Sequence, residues 1–547
     1  MNRNPAQSTE PLPGLQRRWC PRALRQRRFL ILAQIYSMAV LLVSSPLFFL
    51  RGVGVFDDSF FLKTGELVAA GAVPYRDFFE NKTPATFYLA ALIAHVGGGH
   101  WLAPRIFLFL LAIALSLAVV RYAWASFGPR CALVVSVAFP VSYVISQGYS
   151  LHAEQLLTLF GFLGVLCISG RRRESPFAWG VAGAAMGLAF LSKQSAATYL
   201  LGLLVAVSVT ALFGRTKPRS AALMGGAAII GFLVVLATAA EAAILLGIAT
   251  EARLAIFDNA RYVAVGVPID LPMAARLWIK VPAILMAFAS CVLLATSRPI
   301  REKVLAARRL PEILVWAALG LVSLAPNLRI QNAIGHYALP AVPGLALAGS
   351  FVLSLSLSRV RALGAVRRLV PVVALSPYLV GIGWGGFTMI REDRLRTDLR
   401  QMEEFRNLLT RHLPNDEPIL CLSETQMVSR LYYLSGRRPY TRYLHFGVNF
   451  VGIFELKDAI SLVDAGGPDA VIVEFPLGPD GRPDPSGQLW RASPAWRRHY
   501  AFIDPVTGVH PVLHTSTILL VRSRLGPPEG IALQDSSPGG FSSSATR

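Results

Sequence analysis

The chain has 547 residues, 54% hydrophobic and 16% charged, with a mean hydropathy of +0.50; soluble domains carry about 25% charged residues, so a string of soluble domains is excluded and a polytopic membrane domain is expected. The formal net charge is +21, which would suit nucleic acid if it lay on one soluble basic face. It lies instead between apolar runs, as Lys and Arg do in cytoplasmic loops of membrane proteins, so no nucleic-acid partner is expected.

Residues 1–29 are polar and then basic, ending in LQRRWCPRALRQRRF, and the apolar run Leu30–Leu50 follows. The run is of spanning length and carries no small-residue cleavage site, so it reads as a first spanning helix behind a cytoplasmic N-terminus. A span takes about 20 apolar residues. Further candidates are Trp101–Val120, Cys131–Ser146, Leu151–Ser169, Phe177–Leu191, Ala196–Phe213, Ala221–Ile248, Val281–Thr296, Ile313–Pro326, Tyr337–Leu357 and Leu369–Phe387. That makes about eleven spans by hydropathy. Alternate loops (RYAWASFGPR, GRRRESP, GRTKPRS, SRPIREKVLAARR, SRVRALGAVRR) are basic and fall on the N-terminal side; the others (QGYSLHAEQ, SKQS, Ala249–Lys280, NLRIQNAIGH) are less basic and hold most of the unusual polar groups.

The first outer loop, 51–100, is long. Asp58–Ala70, closed by Gly71 and Pro74, and Thr83–Val96, closed by Gly97-Gly98-Gly99, read as two interfacial helices flanking a polar knot of Arg76-Asp77 and Glu80-Asn81-Lys82. After Arg391 the composition changes. REDRLRTDLRQMEEFRNLLTRHL is a charged amphipathic helix, and EPILCLSE and DAVIVEF read as short buried strands. Residues 391–522 are therefore expected to form a small α/β domain outside the membrane, and 523–547, rich in Pro, Gly and Ser, a disordered tail. The five cysteines, Cys20, Cys131, Cys167, Cys291 and Cys421, form no CxxC pair, which argues against a disulfide framework or a zinc ribbon.

The less basic loops put acids and cations at helix ends on one side: Asp57, Asp58, Arg76, Asp77, Glu80 and Lys82; His152 and Glu154; Lys193 and Gln194; Arg261, Tyr262 and Arg276; Arg329, Gln331, His336 and Tyr337. Ionisable groups at membrane depth are costly and mark a site by default. Cations such as Lys82, Lys193 and Arg329 suit a phosphate head group, and a carboxylate suits a general base toward a hydroxyl. The bland readings are that Asp57 and Asp58 cap a helix, that Glu80 and Lys82 form an interfacial ion pair, that His152 and His336 are structural and that Lys193 snorkels.

The order of these motifs resembles the GT-C glycosyltransferase superfamily, in particular bacterial relatives of protein O-mannosyltransferases and aminoarabinose transferases (glycosyltransferase family 39-like). FDDSFF resembles their acidic pair after the first span. PYRDFFENKTPATFYL resembles their Lys-Pro-Pro element, with Thr83 in place of the first Pro. SLHAEQLLTLF is similar to their second acidic motif, GLAFLSKQSA to their Lys-containing turn and GHYALPAVPGLAL to their late HY-x-x-P element. The resemblance spans roughly residues 30–390. It implies an inverting transferase in the bacterial inner membrane that moves a sugar from a polyprenyl-phosphate donor to a lipid, glycan or protein hydroxyl on the outer face. It makes Asp57, with Asp58, catalytic, and Glu80, Lys82, His152, Glu154, Lys193, Arg329, His336 and Tyr337 substrate-binding. No metal ligand is assigned; some aminoarabinose transferases use a metal near the residue matching Glu80, but no His partner for Glu80 is evident, so a divalent metal is possible and unsupported. Two rivals stand beside this reading. A transporter or flippase of a lipid-linked glycan would need charges within central spans or broken helices related by repeats. A non-catalytic envelope assembly subunit would tolerate loss of each carboxylate.

Overall fold

The computed structural model describes residues 21–51, 56–259, 270–307, 309–329, 335–357, 370–414, 417–423, 428–444, 456–476, 488–496, 499–503 and 515–522. Arg261, Tyr262, Gln331 and the tail 523–547 lie outside them. The apolar runs fold as helices: Pro21–Val43 (α1), Ser45–Phe49 (α2), then Phe56–Ala69 (α3) and Ala85–Val96 (α4) in the first loop, Ala103–Phe127 (α5), Pro129–Ile145 (α6), Ala153–Cys167 (α7), Pro176–Phe190 (α8), Ala197–Leu212 (α9) and Pro218–Leu245 (α10). The short Ala249–Arg253 (α11) precedes Leu271–Trp278 (α12), Pro282–Thr296 (α13), Arg298–Leu305 (α14), Leu310–Val322 (α15) and Val342–Leu357 (α16).

Four helical stretches among the described residues are long and apolar enough to cross a bilayer: Ala103–Phe127, Gln194–Leu212, Pro218–Leu245 and Gly335–Ser356. The pair α12–α13, bent by 99°, makes a fifth if counted as one span. The chain is thus a mostly helical, multi-pass membrane protein. Several of the other expected spans coincide with shorter apolar helices, α6, α7, α8 and α15. At a rise of about 1.5 Å per residue these are too short to cross a 30 Å core without their flanking turns. Exposed Leu233 and Val234 on α10 face outward while Ala228 on the same helix is fully buried, the division expected of a lipid-facing helix.

Helix α10 packs closely on α8 because small residues line both. A Cβ added at Gly183 would lie 1.9 Å from the Ala228 carbonyl oxygen, and one at Gly231 1.9 Å from that of Gly180. Close backbone approach through small residues is the usual basis of helix association in lipid. Gly183→Leu is therefore expected to pry α8 from α10 and lower the melting temperature of the detergent-solubilised protein by more than Gly226→Leu, since nothing lies within 4 Å of a Cβ at Gly226. Equal melting temperatures would show that the contact contributes nothing.

Helix α3 starts two residues earlier than the sequence suggested, so Asp57 and Asp58 sit in its first turn. Helix α4 begins after Pro84 and ends at Gly97. An aromatic cluster joins the two helices: Phe87 lies 5.3 Å from Phe78 and 6.2 Å from Phe60, centroid to centroid. The knot between them is thereby fixed, and Tyr75, 2% exposed, is held there at φ 71°, a conformation that a bulky side chain adopts only where its surroundings dictate it.

Beyond the membrane helices come Val370–Ala374 (α17), Ser376–Glu392 (α18) and the charged helix Arg394–His412 (α19). The expected strands appear as Ile419–Ser423 (β1) and Ala470–Pro476 (β2), parallel in register Ile419↔Ala470, and Tyr500–Ile503 (β3) and Thr515–Arg522 (β4) complete a mixed sheet in the order β1-β2-β4-β3. Both β1 and β2 are apolar runs, as befits strands buried on two faces. The segment between them reaches back to the first loop. The Phe79 amide donates to the Arg442 carbonyl at 2.7 Å, and the Phe79 and Tyr443 rings lie 5.8 Å apart.

Candidate active site

The adjacent acids of α3 diverge, as neighbours on a helix must. Asp58 is bonded to the Arg51 guanidinium and accepts from the Leu151 amide; Arg51 also donates to Ser150. This ties the start of α3 to the turn between α6 and α7. Asp57 turns the other way. Its Oδ2 lies 3.0 Å from His152 Nδ1 and 3.9 Å from His336 Nε2, and its side chain remains 35% exposed.

His152 precedes α7 in extended conformation, and its amide donates to Gln155 Oε1 at 2.7 Å. Its imidazole is therefore free to swing toward α3. It stacks on His336, centroids 4.0 Å apart. His336 and Tyr337 come from the turn Gly335–Ala341. His336 Nδ1 is 3.2 Å from Gln147 Oε1, and Tyr199 of α9 donates to the Pro340 carbonyl. The Tyr199 ring passes across Gly161 of α7, where a Cβ would lie 1.8 Å from the ring. A bare backbone on α7 thus lets α9 position the His336 turn.

Two lysines complete the group. Lys82 Nζ is 3.2 Å from Glu80 Oε1, with Glu80 fully buried, and sits 4.8 Å over the Phe60 ring. Its carbonyl accepts from the Tyr75 hydroxyl at 2.8 Å. Lys193, at the α8–α9 turn, pairs with Glu154 in the first turn of α7 and lies 4.6 Å over the Tyr337 ring; Glu154 Oε1 is 3.8 Å from His336 Nε2. Gln194 donates to the Asn81 carbonyl, joining the two lysine-bearing turns.

Charge and burial oppose each other here. Burial works against the Asp57 carboxylate, but the His152 hydrogen bond and the charges of His152, Lys82 and His336 outweigh it and hold its pKa well below the usual carboxylate range. Burial likewise disfavours the Lys82 ammonium, yet Glu80 and Asp57 outweigh it and raise its pKa above the ordinary lysine value. Both ions persist at neutral pH.

The structure therefore brings Asp57, Glu80, Lys82, His152, Glu154, Lys193, His336 and Tyr337 together in one polar cluster, and turns Asp58 away into an ion pair. Arg329 ends the turn Ala325–Arg329, and its side chain lies outside the described residues. Arg76 and Asp77 pair with each other at 2.9 Å on the surface. Arg276 lies in the last turn of α12. Sequence reading overlooked Gln147, Tyr75 and Arg51. Gln147 carried one signal, a polar residue opening the turn that also holds His152 and Glu154.

Asp57, His152 and His336 are also a candidate metal centre: their donor atoms all lie within 4.8 Å of one another. One carboxylate with two imidazoles suits a zinc-like or other first-row cation, and His152 Nε2 is buried with no hydrogen-bond partner among the described residues. The histidines sought beside Glu80 flank Asp57 instead, while Glu80 is committed to Lys82.

Comparison with known proteins gives the fold a context. The family described as dolichyl-phosphate-mannose-protein mannosyltransferase matches residues 81–240, less than a third of the chain. The structure of ArnT from Cupriavidus metallidurans bound to undecaprenyl phosphate superposes with a TM-score of 0.57 at 12% identity, covering 90% of this chain and 99% of that one. The apo form of the same ArnT gives 0.55 at 13% identity, covering 92% and 99%. No curated protein sequence matches the chain. The chain thus shares its fold with ArnT over most of its length, and the mannosyltransferase family match is confined to residues 81–240.

Proposed function

We propose that the protein is an inverting glycosyltransferase that moves a sugar from a polyprenyl-phosphate donor to a hydroxyl of an envelope acceptor, at the outer rim of the bacterial inner membrane. One observation carries the reading. A carboxylate, two imidazoles and two carboxylate-paired lysines, drawn from five separate points of the chain, converge in one cluster at helix ends. The fold shared with a protein crystallised with undecaprenyl phosphate supports the choice of donor.

In this reading Lys82 and Lys193, with His336, Tyr337 and Arg329, hold the donor phosphate. Cations fixed by buried carboxylates need little reorganisation when the phosphate arrives. Glu80 and Glu154 fix the two lysines, and Glu154 also orients donor or acceptor. Asp57 accepts the proton of the acceptor hydroxyl as its oxygen bonds to the anomeric carbon. The bond from that carbon to the phosphate oxygen breaks, and the leaving phosphate keeps the electron pair beside the lysines. Attack opposite the phosphate inverts the centre. His152 orients Asp57, and Asp58 anchors the turn that carries it. Asp57 Oδ2 is also the atom a cation in the Asp57–His152–His336 group would take, so a bound ion and a free base compete for one oxygen.

The topology in this reading has about eleven spans within residues 30–390, residues 1–29 inside, and residues 391–522 as an extracytoplasmic α/β domain. Mass spectrometry of envelope glycans from cells with and without the active protein tests the function. Loss of one sugar from one acceptor, with the unused lipid-linked sugar left on the outer face, is expected; accumulation of a lipid-linked glycan on the inner face would favour the flippase reading.

A further inference from the structure

The polar knot between α3 and α4 is gripped from the C-terminal sheet. Residues 437–444 follow the helix Val428–Ser435 (α20) and form a strap from the sheet to the knot. The strap is anchored at its start, where the buried Arg437 guanidinium donates to the carbonyls of Leu413 and Pro414. It then pairs with β1: the Ile419 amide donates to the Arg438 carbonyl at 3.0 Å, and the Tyr440 amide to the Ile419 carbonyl at 2.8 Å. At its far end it meets Phe79 of the knot. The Phe79 amide donates to the Arg442 carbonyl at 2.7 Å, and Phe79 and Tyr443 are bridged in parallel. The fully buried Phe79 ring lies 5.8 Å from the Tyr443 ring, with the Arg442 guanidinium 5.7 Å over it. The same C-terminal unit also touches the helix that carries Asp57: α20 lies against α3, where Lys63 is 3% exposed and pairs with Glu66 at 3.2 Å.

The knot passes this grip on to Lys82, which stands three residues after Phe79. It is closed on itself, since the Tyr75 amide donates to the Phe78 carbonyl at 2.7 Å and the Tyr75 hydroxyl to the Lys82 carbonyl at 2.8 Å. Phe78 packs on Phe87 of α4 while Phe79 meets the strap, so the knot is pinned from both sides. Glu80, next in the chain, holds the Lys82 ammonium at 3.2 Å. A lysine has a long flexible stem, and a cation stabilises charge best where its position is set in advance; for Lys82 that position depends on the backbone of the knot. Lys193 differs, because its turn lies between two membrane helices, α8 and α9. We propose that residues 437–444 are a positioning strap, in which Tyr443 holds Phe79 and thereby fixes where Lys82 presents its ammonium to the donor phosphate. The phosphate in this statement rests on the transferase reading; the grip on the knot does not.

The test is a double-mutant cycle read by binding of undecaprenyl phosphate to the full chain in nanodiscs, with the melting temperature followed alongside. Tyr443→Ala is expected to weaken binding by about three- to tenfold, the range that loss of an aromatic pair supplies. Tyr443→Phe keeps the ring over Phe79 and should bind as the native chain does. In a Lys82→Gln background Tyr443→Ala should cost nothing further, whereas in a Lys193→Gln background it should cost its full factor. Phe79→Ala, which removes the other ring, should follow the same pattern. An equal loss in the native and Lys82→Gln backgrounds, or a lowered melting temperature with unchanged affinity, would overturn the proposal and leave the strap a purely structural tie. Undiminished binding in Lys82→Gln would instead remove the donor reading, and the strap's role with it, whatever Tyr443→Ala does.

Discussion

Asp57→Asn is expected to lower the turnover of sugar transfer by about 10²- to 10⁴-fold, the range that a positioned general base supplies, with little change in the KM for the donor. The substitution preserves size, and an amide oxygen can still meet His152 Nδ1, which lies 3.0 Å from the native carboxylate. It removes only the capacity to take a proton. Folding should survive, since Asp57 is more than a third exposed on its side chain and the amide retains the contact to His152. Asp58→Asn makes the contrast. It weakens the bond to Arg51 and the tie to Leu151, so its effect should appear first in thermal stability. Transfer assays on purified protein, with gel filtration and circular dichroism to verify folding, separate the two. Near-wild-type turnover in Asp57→Asn would remove the base assignment.

Lys82→Gln and Lys193→Gln are each expected to weaken binding of undecaprenyl phosphate by about 10- to 100-fold, since a hydrogen bond to a charged group is worth about 1.5–3 kcal/mol. The two variants should differ in stability. Lys193→Gln strands Glu154, which is 4% exposed and keeps the His336 imidazole at 3.8 Å. A buried carboxylate left without its cation is strongly destabilising. The double variant Lys193→Gln with Glu154→Gln should recover stability but not phosphate affinity. Recovery of affinity along with stability would mean that Lys193 serves the fold alone.

Much of this site was legible because charge is rare in this chain. Asp57, Lys82, Glu154 and Lys193 stood out as ionisable groups at the ends of apolar runs, where their cost demands a reason. The ends of α4 followed from Pro84 and Gly97, and β1 and β2 from short apolar runs. Pairing was not legible. Nothing in the spacing of Asp57 and Asp58 said which would face His152 and which Arg51; that depends on the rotation of α3, set by Phe60, Phe61 and Phe87 packing across the first loop. The meeting of His152 with His336 joins residues far apart in the chain and depends on Tyr199 reaching Pro340 over Gly161. The span count stayed coarse because helices such as α7 and α8 are shorter than a bilayer requires.

The central claim is that one cluster beside Asp57 holds the phosphate of a lipid-linked donor, and the position of that phosphorus tests it most directly. In a cryo-electron microscopy map of the protein in nanodiscs with undecaprenyl phosphate, the account places phosphate density between the Lys82 and Lys193 ammonium groups, with Asp57 across the gap a sugar would fill. Phosphate density elsewhere on the chain, with both lysines still closed on Glu80 and Glu154, would contradict it.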